Sequence, residues 1–252
     1  MYQERTYRRL VHRDSLVSFR VMVKETDLLV HATEPLEDIT KELILKYRGY
    51  IEAYIDQNPE FVATLRPWRI SGPAPLIVKD MAAAGEKVGV GPMAAVAGAI
   101  AEHVGLELLS HTREVIVENG GDVFLKADGP VTIGIFAGSS PLSLRIGLRI
   151  DSGYKPFAVC TSSGTVGHSL SLGKADAVCV LSDSGALADA AATSIGNRVQ
   201  SKTDIQEALD FGKRVEGVTG IVVIIGDAIG IWGDLEIVPL IPSRKTDYGE
   251  KG

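Results

Sequence analysis

Four consecutive residues, Asn119 to Asp122, combine backbone freedom with two polar side chains. Gly120 and Gly121 stand between the amide of Asn119 and the carboxylate of Asp122, just after an apolar run that ends at Val117. Glycine tolerates positive φ and leaves its backbone N–H uncovered, so a ligand can contact bare main chain. Asn-Gly is also a strong hairpin signal. The same residues therefore predict either a ligand-contacting turn or a plain β-hairpin turn.

A second candidate is the hydroxyl loop, Thr161 to Ser169, which carries five hydroxyl side chains, two glycines and His168 after the apolar run Phe157 to Cys160. Such a loop can bind phosphate oxygens through hydroxyls and main-chain N–H groups. A histidine titrates near neutral pH and can donate to a phosphate or act as acid or base. The alternative is an ordinary Ser/Thr/Gly turn with an exposed histidine. The candidate ligand contacts here are Thr161, Ser162, Ser163, Gly164 and Thr165.

Asp189 and Thr193 place a carboxylate and a hydroxyl four residues apart, on one face of a predicted helix, with three alanines between them. Oxygen ligands suit Mg²⁺ or Ca²⁺, and Mg²⁺ usually keeps waters and substrate phosphates in its shell. The alternative is a surface aspartate and a threonine bonded to its own helix. The sequence has no His/Cys spacing for zinc and no Walker-type loop with lysine.

A helix rich in small residues is predicted from about Met93 to Val104, opened by Gly89-Val90-Gly91-Pro92. Proline is favoured at the first helical position. Alanine and glycine on several faces predict a buried helix against which other backbone packs closely. Its N-terminus could receive an anion, which makes Gly91 and Met93 candidate ligand contacts. Tight packing alone explains the same residues.

Strands and helices are mixed along the rest of the chain. A hairpin is predicted over Val17 to His31, and a helical stripe predicts a long helix from Leu36 to about Gln57. Further strands are predicted at about 114–117, 123–126, 131–136, 144–150, 157–160, 175–181, 218–225 and 235–240, and further helices at about 76–86, 93–104, 187–195 and 203–214. The meander-like mixture predicts an α+β fold rather than a doubly wound parallel sheet.

Composition narrows the function classes. The chain has 252 residues, 45% of them hydrophobic and 23% charged, with a net charge of −6. The negative net charge argues against nucleic acid as a partner. The apolar runs are too short for a membrane span. The first residues of the sequence are polar, unlike those of a signal peptide. We expect one domain over 1–242, a polar tail over 243–252, and a cytoplasmic protein. Cys160 and Cys179, both in apolar runs, are expected to be buried free thiols.

Taken in order, these motifs resemble the ApbE-like family, whose best-known members are Mg²⁺-dependent FAD:protein FMN transferases. The strings GVGPMAAVAGAIAE, VENGGD, TSSGTVGHSLSLGKAD and ADAAATSIGN are similar to a prokaryotic branch of that family. Three departures stand out. Ala95 occupies the position of the transferase lysine, Ser169 to Gly173 replaces a His-x-x-Asp-Pro-x-Thr-Gly segment, and the turn at Asn119 lacks one intervening residue.

The resemblance implies an ApbE-like fold of mixed or antiparallel sheets, packed with the buried small-residue helix, around one pocket. It implies that Asp189 and Thr193 hold Mg²⁺, that FAD or another phosphate-bearing small molecule binds, and that Asp122 or His168 orients or deprotonates an acceptor. Two alternatives stay open: a non-catalytic binding module of the same fold, and a sulfur-handling protein that uses Cys160. The sequence leaves the oligomeric state open, a homo-oligomer included.

Overall fold

The computed structural model describes residues 16–151, 153–165, 171–233 and 235–240. The helices are α1 Glu37–Gln57, α2 Glu60–Ala63, α3 Leu76–Val88, α4 Val96–Leu108, α5 Gly185–Gly196 and α6 Ile205–Gly212. The strands are β1 Val17–Val23, β2 Thr26–Ala32, β3 Val115–Asn119, β4 Asp122–Lys126, β5 Val131–Gly134, β6 Ile146–Ile150, β7 Phe157–Ser162, β8 Ala177–Ser182, β9 Val218–Ile225, β10 Ala228–Gly233 and β11 Glu236–Pro239. Short 3-10 turns, Pro92–Ala95 and Lys202–Asp204, lead into α4 and α6.

Within the described residues the strands form two antiparallel sheets. The larger has eight strands in the order β1-β2-β3-β4-β7-β8-β9-β10, and the smaller has three in the order β11-β6-β5. Neighbouring residues of a strand face opposite sides of its sheet. In β7, Ala158 and Cys160 accordingly pack into the core shared with the helices, whereas Val159 packs into the core shared with the smaller sheet. The fold is therefore three layers, which confirms the predicted α+β class with antiparallel sheets.

The N-terminal predictions are confirmed. β1 pairs with β2 from Val17↔Ala32 to Val23↔Thr26, and α1 ends at Gln57 with its apolar stripe buried. The small-residue helix is also buried, but its predicted start at Met93 is wrong. Pro92–Ala95 forms a 3-10 turn, and the α-helix begins at Val96.

The prediction missed β10, because Gly230 and Gly233 read as a connecting loop. The structure gives a packing reason for glycine in this strand. A Cβ added to Gly230 would lie 2.2 Å from Cγ2 of Ile205 in α6. The strand therefore needs a residue without a side chain where the helix crosses it. The helix predicted over 203–214 is likewise shorter, since its first residues form the 3-10 turn.

Among the described residues, no single helix has the length and apolar character that a membrane span requires. One bent pair, Leu76–Val88 with Pro92–Leu108 at an angle of 107°, meets the test by length and composition alone.

Candidate functional site

The Asn119 to Asp122 motif is the turn of the β3–β4 hairpin, in which Asn119 pairs with Asp122. Gly120 and Gly121 have φ values of 70° and 111°. A two-residue turn with positive φ at both positions strongly favours glycine, because a Cβ is strained there. The predicted left-handed glycines are confirmed, and the hairpin alternative is also correct. Gly120 is exposed and Gly121 is half-buried, so main chain at the turn is accessible.

The turn lies beside the beginning of the hydroxyl loop. Oδ1 of Asp122 accepts a hydrogen bond from the backbone N–H of Thr161 at 3.1 Å. A Cβ added to Gly121 would lie 3.7 Å from the carbonyl oxygen of Thr161. Pairing of β4 with β7 causes this proximity, because its register runs through Val123↔Val159. The two motifs predicted to share a site therefore meet at Thr161.

The N-terminus of α4 joins the same site. Nδ2 of Asn119 donates to the carbonyl oxygen of Ala97 at 3.0 Å. Oδ2 of Asp189, from α5, accepts a hydrogen bond from the backbone N–H of Gly98 at 2.9 Å. The sequence predicted that this helix start could receive an anion. In the structure, the carboxylate of Asp189 interacts with it, as a carboxylate near a positive helix end is expected to do.

Two carboxyl groups converge here, with Asp122 buried and Asp189 half-buried. Burial raises the pKa of the Asp189 carboxyl to about 7. Burial, and then the negative charge of Asp189, raise the pKa of Asp122 well above its ordinary value. The described residues place no cationic side chain in hydrogen-bond contact with either carboxyl group. The site therefore favours a proton or an added cation.

Cys160 lies next to this pair in β7 and is fully buried, as predicted. Its Sγ is 3.5 Å from the carbonyl oxygen of Gly185. Burial, followed by the negative charges of Asp122 and Asp189, raises the pKa of the thiol well above its ordinary value. A protonated, inaccessible thiol is a poor nucleophile, so the structure gives the sulfur-handling alternative no reactive group at Cys160.

Of the other residues in the hydroxyl loop, one lies against α5 near the site and the others make contacts that hold the loop itself. Ser162 is buried against α5, where a Cβ added to Gly196 would be 3.9 Å from its Oγ. Thr165 instead donates through Oγ1 to Oδ1 of Asp176 at 3.1 Å, and its N–H donates to Ser163 at 3.1 Å. Gly164 is pressed against the next loop, since a Cβ there would be 2.1 Å from the carbonyl oxygen of Gly173. His168 lies outside the described residues.

Packing accounts for the two remaining candidates from the helix start. A Cβ added to Gly91 would lie 1.9 Å from the carbonyl oxygen of Thr64, so glycine is required where the connector after α2 crosses it. Met93 is half-buried and packs against the helical core.

Thr193 follows Asp189 by one turn of α5, and both are half-buried. In the part of the chain that the structure describes, no group of three or more His, Cys, Asp or Glu side chains is placed to hold a metal ion. A cation bound here would therefore depend on one or two carboxylates together with hydroxyls, waters or ligand oxygens.

Sequence reasoning missed Glu102. Its Oε2 accepts hydrogen bonds from the backbone N–H groups of Gly185 at 2.8 Å and Ala186 at 3.3 Å. This carboxylate caps the start of α5, the helix that carries Asp189. Its partner lies on another helix far along the chain, so no local sequence pattern indicates it.

The fold is similar to that of ApbE flavin transferases. The apo form of flavinyl transferase ApbE from Pseudomonas stutzeri superposes with a TM-score of 0.56 at 14% identity, covering 86% of this chain and 93% of that one. The ApbE protein of Thermotoga maritima gives a TM-score of 0.53 at 16% identity, covering 85% and 96%. At such low identity the likeness establishes the fold alone.

Sequence similarity then gives the family. A profile described as AbpE bacteria matches residues 8–236. A UPF0280 protein of Methanocella arvoryzae is 43% identical over 91% of this chain and 92% of its own length, and one of Methanocaldococcus jannaschii is 41% identical over 86% and 90%. The chain belongs to this ApbE-like family, which confirms the resemblance predicted from its motifs.

Proposed function

We propose that this protein binds FAD together with Mg²⁺ and transfers the FMN moiety to an acceptor. A bond forms between the acceptor and the flavin-side phosphorus, the pyrophosphate P–O bond breaks, and AMP leaves. One observation carries the proposal: Asp122, which is buried, and Asp189, which is half-buried, come from separate elements and bring two carboxyl groups together beside an accessible glycine turn. Placing two carboxylates side by side away from water is unfavourable unless protons or a cation offset their charge. A fold that retains this arrangement is well suited to a cation and its anionic ligand.

The donor set fits Mg²⁺. Asp189 would supply a carboxylate oxygen and Thr193 a hydroxyl, and the other positions would fall to waters and ligand phosphate, which is the usual pattern for this ion. The same carboxylate accepts a hydrogen bond from the backbone N–H of Gly98, which fixes its position at the start of α4. When bound, Mg²⁺ would neutralise charge that develops on a pyrophosphate.

The chain's own groups would bind and orient the ligand. Gly120 and Gly121 present main chain without side chains. At the end of β7, Thr161 adds its main chain and Ser162 its hydroxyl, because the Thr161 hydroxyl donates to Sγ of Cys179 at 3.4 Å. Asp122, held by the N–H of Thr161, would accept the proton of the acceptor. A carboxyl group with a raised pKa is suited to that role. We propose His168 as a second acid or base.

A second candidate function is ligand binding without transfer. It is favoured by Ala95, which occupies the position of the transferase lysine and is fully buried. A buried methyl group supplies no positive charge for a phosphate. In this case the site would bind the nucleotide and the cation, but no flavin would reach an acceptor.

We also propose that residues 1–242 act as one domain.

Titration calorimetry with FAD, in the presence and absence of Mg²⁺, tests the proposal on wild type and Asp189→Asn. We expect Mg²⁺-dependent FAD binding in wild type and at least about tenfold weaker binding in Asp189→Asn, because the substitution removes a full charge from the metal shell. Asp183→Asn is the matched control, since Asp183 is an exposed carboxylate just before α5. Identical titrations in all variants, with and without Mg²⁺, would make Asp189 a structural residue only.

Transfer is distinguished from binding by the fate of the flavin. After incubation with FAD, Mg²⁺ and a cell extract from which small molecules have been removed, flavin that stays on protein through denaturation indicates transfer. Flavin that is fully released on denaturation indicates the binding module.

A further inference from the structure

The crossing of α4 and α5 is built on two glycines, Gly98 and Gly185. A Cβ added to Gly98 would lie 2.2 Å from the carbonyl oxygen of Gly185, and one added to Gly185 would lie 2.6 Å from the carbonyl oxygen of Gly98. Real Cβ atoms do not approach backbone so closely. The two helices therefore touch backbone to backbone, at the point where both begin.

Each helix also supplies a carboxylate to the first turn of the other. Glu102 follows Gly98 by four residues in α4, and its Oε2 accepts from Gly185 at 2.8 Å. Asp189 follows Gly185 by four residues in α5, and its Oδ2 accepts from Gly98 at 2.9 Å. The first N–H groups of a helix lack partners within the helix, and a carboxylate there is stabilising. We call this exchange the reciprocal cap.

The two carboxylates of the reciprocal cap face different surroundings. Asp189 lies beside Asp122 at the candidate site and raises the pKa of that carboxyl group. Glu102 is bonded by Gly185, by Ala186 and, at 3.4 Å, by the hydroxyl of Ser184. Its bonds are therefore made to the beginning of α5, one turn before the residues predicted to hold the cation.

We propose that Glu102 is a positioning residue for the candidate site. By fixing the first turn of α5 against α4, it sets where Asp189 and Thr193 lie relative to Asp122 and the glycine turn. This inference rests on the proposed function, because it concerns the geometry that Mg²⁺-dependent binding would need. Glu102 itself touches no ligand in this proposal and acts through α5.

The test uses the full chain with Glu102→Gln and Glu102→Ala. Glutamine keeps one neutral oxygen that can take the place of Oε2 but lacks its charge, whereas alanine leaves both Gly185 and Ala186 without this partner. The matched control is Glu107→Gln, on the same helix, whose carboxylate bonds to Lys46 and Tyr47 of α1 instead. Amide hydrogen exchange at Ala97, Gly98, Gly185 and Ala186 reports the reciprocal cap. The ratio of FAD affinities with and without Mg²⁺ reports the site.

The expected result is faster exchange at Gly185 and Ala186 in both Glu102 variants, under conditions where each variant remains folded. The Mg²⁺-dependent affinity ratio should fall about tenfold in Glu102→Ala and by less in Glu102→Gln, a loss comparable with that of a helix cap. Glu107→Gln should keep the wild-type ratio. A merely structural role would change stability and leave the ratio alone.

Two results would overturn the inference, and they differ. If wild type binds FAD with Mg²⁺ dependence and the Glu102 variants keep the same ratio despite faster exchange, Glu102 does not position the site and the proposed function stands. If wild type shows no Mg²⁺-dependent binding of FAD, the proposed function fails, and the role of Glu102 at that site fails with it.

Discussion

In the β3–β4 turn, Gly120 and Gly121 adopt positive φ, and a Cβ on Gly121 would come no closer than 3.7 Å to any atom of Thr161. Beneath the hydroxyl loop, Gly173 lies outside the left-handed region, yet a Cβ there would be 1.9 Å from the carbonyl oxygen of Gly196. The turn needs glycine for its backbone conformation and has open space beside it. The loop needs glycine because two backbones touch, so only the first arrangement leaves main chain free for a ligand.

The largest effect should come from replacing Gly173 by alanine. The new methyl group would strike backbone of Gly196 and Val199, which cannot yield as a flexible side chain can. We expect a loss of about 3 kcal/mol or more in the free energy of unfolding, measured by urea denaturation.

Gly49→Ala is the control for Gly173→Ala. Gly49 is an exposed residue inside α1, and a Cβ there meets nothing within 4 Å. Alanine should stabilise by about 0.5 to 1 kcal/mol, since glycine is a poor helix former. If Gly173→Ala left the free energy of unfolding unchanged, or raised it as Gly49→Ala should, the close backbone contact at Gly173 would be wrong.

Gly121→Val should separate stability from binding. Valine at a φ of 111° is strained, which we expect to cost about 2 kcal/mol, and its branched side chain would cover the main chain of the turn. FAD binding in the presence of Mg²⁺ should be lost in protein that circular dichroism shows to be folded. Gly120→Asn, at a φ of 70° that asparagine tolerates, should keep the fold. Full FAD affinity in folded Gly121→Val would contradict the ligand-contacting role of the turn.

The site and the hydroxyl loop also differ in how they accommodate carboxyl groups. Asp176 accepts hydrogen bonds from Thr165 and from the N–H of Gly226, whereas burial raises the pKa of Asp189 from 3.8 to about 7. Between those pH values the folded protein holds a proton that the unfolded chain has released. Without divalent cation, the free energy of unfolding should therefore fall as pH rises from about 4 to about 7.

Asp189→Asn should flatten this pH dependence and gain about 1 to 2 kcal/mol at pH 8 relative to wild type. Its amide oxygen can still accept from Gly98, so the cap on α4 is retained. Urea denaturation across the pH range checks the prediction, with Asp183→Asn expected to follow wild type. If the free energy of unfolding of Asp189→Asn changed with pH in parallel with that of wild type, a group other than Asp189 would be responsible for the pH dependence.

The smallest effect is expected from Thr193→Ala. The free energy of unfolding should change by less than about 0.5 kcal/mol, because the side chain is only half-buried. Mg²⁺-dependent FAD binding should weaken by about threefold, since water can replace a neutral hydroxyl ligand. If Thr193→Ala weakened Mg²⁺-dependent FAD binding as much as Asp189→Asn does, water would not be replacing the hydroxyl ligand.

Periodicity in the sequence predicted the elements whose burial follows a regular pattern, such as α1 and β1. Periodicity failed at β10, because position 230 must be glycine to leave room for Ile205 of α6, and this contact is not visible in the sequence. The motifs and the family resemblance placed Asn119, Asp122, Thr161 and Asp189 in one site, and the structure brings these four together through the β4–β7 register and the start of α4. The signal came from polar residues just after strand ends and on one face of a helix.

The sequence does not show why glycine is required at a given position. Gly91 and Gly164 look like ligand loops in the sequence, but each is pressed against backbone from a distant segment. Only tertiary contacts distinguish a glycine that avoids a collision from one that provides an unusual φ. The role of Glu102 could not be predicted for a related reason, since the amides that it caps lie far along the chain.

The position of β3 in the sheet has a consequence for synthesis. β2 pairs with β3 from Ala32↔Val115 to Leu28↔Asn119, and helices α1 to α4 lie between these strands in the chain. The ribosome therefore releases the first hairpin and four helices before the strand that joins them to the sheet. Until then Leu28 and Val30, fully buried in the finished protein, border an unpaired edge. Such edges aggregate readily, so nascent chains that end before Val115 are the ones expected to need a chaperone.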